Sequence, residues 1–257
     1  MRPVLPALLR SRSYRTATTF TVRTEDGERL SGARIGRNGP ALVFCHGFLG
    51  WHRKDRIVRF VERLSQRFRV YAIDLRGHGA STGVCTFGDR EVLDVDAAVS
   101  LARRETSGPT VTLGLSMGGI AVLRHAAFRG GVDAVVAVSS PARWDGHTSR
   151  AAAQMRWLST SDRGRVLARA IGARISADWG NPEDPEAVVG RISPTPVVLV
   201  HGRDDSIFDE EEAWRLYRRA GRPKHLMLAR PFGHAEDGLS AAFADRIGDR
   251  ILSLLPE

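Results

Sequence analysis

A serine bracketed by glycines, Gly114-Leu115-Ser116-Met117-Gly118, lies between a short β-branched run, Thr110-Val111-Thr112-Leu113, and a helical stretch from Ile120 to Ala127. Where a strand runs straight into a helix the backbone reverses almost on the spot. The side chain at the reversal is thrust above the strand end in a strained conformation, and only residues without bulk fit two positions before and after it. A serine there is placed as a nucleophile, but its hydroxyl is weak at neutral pH and needs a base within hydrogen-bond reach. Histidine suits that task, because an imidazole near pKa ~6.5 can take the proton and later return it to a leaving group. A carboxylate on the other ring nitrogen would fix the tautomer and stabilise the imidazolium. The implied chemistry is acyl transfer. It also needs backbone donors for an oxyanion, and the N–H of Met117, at a helix N-terminus directly after Ser116, is one.

The elements that must position these groups follow from the apolar pattern. After Asn38-Gly39-Pro40 come near-continuous apolar runs over 41–45, 70–73, 111–113, 135–138, 197–200 and 226–229, the signature of strands covered on both faces. Helical stretches over 56–67, 89–104, 117–129, 210–219 and 239–255 alternate with them, so the sheet is mostly parallel with helices on both sides. Phe20–Thr24 and Arg29–Ile35, joined by Glu25-Asp26-Gly27, read as an antiparallel hairpin at a sheet edge. Residues 1–19 read as a flexible arm, with no small-residue cleavage site after their short, proline-broken apolar piece.

Ligands of an open parallel sheet bind at the carboxyl ends of its strands. Five such ends carry His46-Gly47-Phe48-Leu49-Gly50, Asp74-Leu75-Arg76-Gly77-His78-Gly79, the Ser116 turn, His201-Gly202-Arg203-Asp204-Asp205 and Pro231-Phe232-Gly233-His234. Of the eight histidines only His234 follows the final strand, where the base must stand. His125 and His225 read as ordinary structural residues. For the acid, the adjacent Asp204 and Asp205 compete, with Asp209 more remote.

These five motifs in this order resemble the α/β-hydrolase family, from about Phe20 to the C-terminus. The resemblance implies an α/β-hydrolase fold: a mostly parallel central sheet of about eight strands, helices on both faces and a small helical lid. Its chain order of nucleophile, acid and base implies Ser116, Asp205 and His234 as catalytic residues, the spacing after His201-Gly202 favouring Asp205. It implies Phe48 N–H as the second oxyanion donor beside Met117, and structural or loop-shaping roles for His46 and His78. The core would then comprise residues 20–141 and 193–257. The expected activity is cofactor-independent serine hydrolysis of carboxylic esters with small or medium apolar acyl groups, through an acyl-enzyme. The same triad also serves amide or peptide, thioester and carbon–carbon cleavage and perhydrolysis. A catalytically silent ligand-binding member of the fold is the alternative from another class.

Residues 142–192 break the strand-helix rhythm. They hold helical stretches at 149–158 and 163–175, then the turn-rich Trp179-Gly180-Asn181-Pro182-Glu183-Asp184-Pro185, and read as a helical lid insertion. Its Trp144, Met155, Trp157 and Trp179, with Phe48, Leu49 and Trp51 on the oxyanion loop, are candidates for an apolar substrate pocket. An equal alternative is that they pack the lid onto the core. Arg143, Arg150, Arg156 and Arg163 are candidates to meet a carboxylate-bearing substrate.

Composition narrows the partners. The net charge of +9 is almost entirely arginine, scattered beside acids, with Lys54 and Lys224 the only lysines. No aromatic-interleaved basic run is present, so a nucleic-acid partner is not expected. No apolar run reaches the ~20 residues of a membrane helix. No metal-ligand spacing, phosphate loop or dinucleotide fingerprint occurs, so no metal or cofactor is expected. Cys45 and Cys85 read as free thiols of a cytoplasmic protein acting on a small-molecule ester or amide.

Overall fold

The computed structural model describes residues 11–178, 180 and 182–256. Eight strands, β1 (Thr18–Arg23), β2 (Arg29–Ile35), β3 (Ala41–Cys45), β4 (Arg69–Ile73), β5 (Thr110–Leu115), β6 (Ala134–Val138), β7 (Val197–Gly202) and β8 (Lys224–Ala229), form one sheet in the order β1-β2-β4-β3-β5-β6-β7-β8. The hairpin β1–β2 and the pair β2–β4 are antiparallel; every later pair is parallel.

Alternate residues of the central strands feed two separate cores, as the two-residue strand period requires. Leu42 and Phe44 join Ile57, Phe60 and Val61 of α1 (Asp55–Leu64) and Phe243, Ile247 and Ile251 of α8 (Ala241–Leu252). Val43 and Cys45 face the opposite core, with Val95 and Ala98 of α2 (Glu91–Glu105), Val122 of α3 (Met117–Phe128) and Leu216 of α7 (Glu210–Arg219). With both faces covered, no residue of β3, β5, β6 or β7 is exposed. Cys45 and Cys85 are buried free thiols. Among the described residues no helix is long and apolar enough to cross a membrane.

The segment after β6 holds α4 (Arg150–Thr160), α5 (Asp162–Ala170) and the short α6 (Pro185–Val188). Ser149 and Ser161 cap the first two, accepting the N–H groups of Ala152 and Gly164. The second helix was expected to reach residue 175 but ends at Ala170. Gly172 is left-handed at φ 103°, and Ala173 N–H turns back to Ala168 O at 2.8 Å, closing the helix. Ala173 and Ile175 then bridge to His78 and Cys85, tying this segment to the loop after β4.

Of the arm expected over residues 1–19, residues 11–17 run against the loop after β3. Ser11 pairs with Lys54, and the Tyr14 ring stacks on His52 while its hydroxyl donates to His52 O at 2.5 Å. One aromatic that both packs and donates helps to dock the segment. Residues 1–10 lie outside the described residues.

Candidate active site

The turn between β5 and α3 has the strained geometry the glycines require. Ser116 adopts φ 51°, and its N–H donates to Val138 O at 2.8 Å. A Cβ on Gly114 would lie 2.1 Å from Gly118 O, and one on Gly118 would lie 2.5 Å from Cys45 O. The first glycine therefore makes room for the opening turn of α3, and the second lets that turn sit on the end of β3.

Two other strand ends converge on this serine. His234 Nε2 stands 2.9 Å from Ser116 Oγ, and His234 Nδ1 stands 2.8 Å from Asp205 Oδ2. Asp205 Oδ1 accepts the N–H groups of Ile207 and Phe208 at 2.9 and 3.1 Å, which leaves Oδ2 to the histidine. A carboxylate acceptor at Nδ1 makes that nitrogen the N–H, so Nε2 presents its lone pair to the serine hydroxyl. Burial alone would push the Asp205 carboxyl up. The His234 hydrogen bond and charge, with the two backbone donors, outweigh it and hold the group below the usual carboxylate range. Of the competing acids, Asp204 accepts Phe232 N–H at 3.3 Å and faces Arg230, while Asp209 caps α7. Neither is brought to His234.

The loop after β3 approaches Ser116 from the opposite side. Phe48 and Met117 line the same cavity as Ser116. Among the described residues neither backbone N–H has an acceptor. His46 and His78 hold this loop from below. His46 Nδ1–H donates to Gly47 O at 2.7 Å, and its Nε2 accepts Leu75 N–H at 3.0 Å. His78 Nδ1–H donates to Arg76 O at 3.1 Å, and its Nε2 accepts Leu49 N–H at 3.3 Å. Burial pushes their pKa values down to about 4 and about 3, so both stay neutral acceptors.

Among the described residues five non-glycine residues have left-handed φ: Leu49, Phe87, Ser116, Ser139 and Ala235. All five stand at or beside this site. Ser139, at the end of β6, accepts Ala235 N–H at 3.1 Å and so pins the residue after His234. Nothing in the sequence marks Ser139, because only its backbone angle and that hydrogen bond reveal its place.

Above the serine is a cavity of about 320 Å³ with Phe48, Phe87, Ile120, Trp144, Met155 and Phe208 in its walls. Of the candidate pocket residues, Trp144 lines it and Leu49, Trp51 and Trp157 do not. Leu49 packs on the small cluster of Ala168, Ala173 and Ile175. The Trp51 indole N–H turns away to Ser11. Trp157 is 47% exposed, two residues from Met155 and so near the opposite side of α4. Trp179 lies outside the described residues. Phe87, Ile120 and Phe208 were missed. Ile120 was readable as the residue one helical turn after Ser116, whereas Phe87 and Phe208 come from loops whose course the sequence leaves open. Of the remaining histidines, His125 is buried beside Asp96 at 3.3 Å, and His201 lies under the acid, 3.6 Å from Asp205.

Known proteins share this architecture. The uncharacterized protein YfhR of Escherichia coli (strain K12) is 28% identical over 248 residues, covering 91% of this chain and 77% of YfhR. A pimeloyl-[acyl-carrier protein] methyl ester esterase of Chromobacterium violaceum is 36% identical over 91 residues, 35% of this chain and 32% of that enzyme. The esterase Pf2001 of Pyrococcus furiosus superposes with a TM-score of 0.74 at 21% identity, covering 94% of this chain and 93% of its own. The model of the alpha/beta hydrolase family matches residues 42–254, and by that match over most of its length the chain belongs to this family.

Proposed function

We propose that this protein is a serine hydrolase that cleaves carboxylic esters of small or medium apolar acyl groups through an acyl-enzyme. The observation that carries the reading is the continuous hydrogen-bonded chain from Ser116 Oγ through His234 to Asp205. The esterases among similar proteins point the same way.

Ser116 Oγ attacks the ester carbonyl carbon while His234 Nε2 takes the hydroxyl proton. The carbonyl oxygen, now negative, is received by the N–H groups of Phe48 and Met117, whose lack of other acceptors leaves them free for it. The ionised Asp205 stabilises the imidazolium and keeps it oriented. His234 gives its proton to the departing alkoxide, and the alcohol leaves. A water, deprotonated by the same nitrogen, then releases the acid and restores the serine. The volume and apolar walls of the cavity suit a short or medium acyl or aryl group.

The test is fluorophosphonate labelling followed by turnover of esters graded in acyl length, with Ser116→Ala as control. Labelling at Ser116 and ester turnover are expected, with kcat reduced about 10⁶-fold in the variant. A folded protein that is not labelled would overturn the reading. Labelling without turnover of any ester would replace it with a ligand-binding role, and faster turnover of matched amides with amidase activity.

A further inference from the structure

Two arginines stand in the wall of the cavity above Ser116: Arg143, just past β6, and Arg156 on α4. Arg150 and Arg163 are exposed elsewhere on the insertion and do not line it. The two are tied to each other and to the site. Arg156 Nη2 donates to His147 O at 3.0 Å, and His147 Nε2 donates to Arg143 O at 3.0 Å. The His147 ring packs edge-on against Phe208 at 4.6 Å, and Phe208 packs against His234 at 5.4 Å. The Arg156 guanidinium is thus referenced to the histidine beside the nucleophile, and Arg143 joins the same chain through its backbone carbonyl.

Their charge is poorly answered by the protein. The carboxylate nearest Arg143 is Glu212, at 4.0 Å, and it already accepts Ala142 N–H at 2.7 Å and lies 3.9 Å from Arg215. Arg143 Nε is buried with no acceptor among the described residues. The partner of Arg156 is a carbonyl rather than a carboxylate. Asp145, exposed at the same cavity, offsets one of the two charges and leaves one in excess. A partly buried cation without a counter-ion is unfavourable, and a guanidinium fork matches a carboxylate. Phe48, Phe87 and Ile120 supply an apolar stretch in the same cavity.

We infer that the cavity takes esters that also carry a carboxylate, held by Arg143 and Arg156 while Ser116 attacks the ester carbonyl. This rests on the serine-hydrolase reading and narrows its substrate to esters whose otherwise apolar acyl or alcohol chain ends in a carboxylate. The test compares kcat/KM for a monoester of a dicarboxylic acid with that for the same ester whose free acid is a primary amide. A third substrate carries the carboxylate on the alcohol half. The acid-bearing ester is expected to be favoured about tenfold over its amide. That ratio should fall toward one in Arg156→Gln and Arg143→Gln, and as salt rises from about 50 mM to about 500 mM. If Arg143→Gln does not fold, the exposed Arg156 and the salt series carry the test. Preference for the acid on either half of the ester supports the subsite and tells which half reaches it. A ratio at or below one in the unaltered protein, or one unmoved by both substitution and salt, overturns it. Fluorophosphonate labelling separates the two failures: a labelled enzyme without acid preference loses only this inference, whereas an unlabelled one loses the hydrolase reading and this with it.

Discussion

The strand ends that carry Ser116, Asp205 and His234 and the helical insertion above them are held by different means. At the strand ends backbone meets backbone: bare glycines let α3 sit on β5 and β3, and the Asp205 side chain is fully buried. In the insertion, the only buried residue of α4 is Ala152, and those of α5 are Gly164 and Ala168. Val166 is 72% exposed and Leu167 45%. Small residues give close approach but little apolar area, so the α4–α5 part of the insertion is seated by a thin seam, while Val188, Val189 and Ile192 anchor its end in the core. A molecule built this way keeps its reaction fixed by sterics in the core while the residues that meet the substrate can change at little cost to the fold.

The largest expected break in that comparison is at the acid. Asp205→Asn should lower kcat for an ester substrate about 10⁴-fold, because the amide no longer enforces the Nδ1–H tautomer. Asp204→Asn, one residue away, should leave kcat within about threefold, since its carboxylate serves a loop N–H; equal losses from the two would dissolve the distinction. Next comes stability. Gly114→Ala should cost on the order of 4 kcal/mol in denaturant unfolding, because its Cβ meets backbone rather than a movable side chain. Val166→Ser, on the exposed side of α5, should change it by less than about 0.5 kcal/mol.

A further effect is on the pH dependence of stability. The folded-state pKa values of His46 and His78 lie near 4 and 3, below the ordinary 6.5. The unfolded chain therefore binds more protons in that interval. The stability tied to their neutral forms is complete above pH ~6.5 and is lost progressively as pH falls toward about 4 for His46 and about 3 for His78. Acidification from about pH 7 to about pH 5 should lower the thermal midpoint more in the unaltered protein than in His78→Gln. Equal shifts in the two would remove His78 from that account.

This division also explains what could be read from the chain. Continuous apolar runs such as Ala41–Cys45 announce buried strands, and chemistry-bearing residues directly after them land at one edge of the sheet, so Ser116 and His234 were legible by type and place, whereas the resemblance to a family was needed to favour Asp205 over the adjacent Asp204. Trp157 and Met155, two residues apart, are both plausible pocket residues in a helix whose faces carry alanine and arginine alike; only the packing of α4 separates them. The early end of α5 turned on the left-handed angle of Gly172. The docking of residues 11–17 rests on the Tyr14 ring and on scattered polar contacts of Ser11, Arg12, Ser13 and Arg15, none of which forms a periodic pattern.

The five left-handed residues around the site, Leu49, Phe87, Ser116, Ser139 and Ala235, couple its chemistry to the frame that surrounds it. Each holds its backbone in a conformation that costs about 1 kcal/mol or more, maintained only while the surrounding strands stay in register. An unfolded chain stores none of this, so the site behaves as a loaded spring inside a stiffer frame. When heat or a distant substitution loosens the frame, nothing else holds these five points in place. Loss of ester turnover is therefore expected at a lower temperature than the far-UV signal of sheet unfolding, the two measured on the same sample.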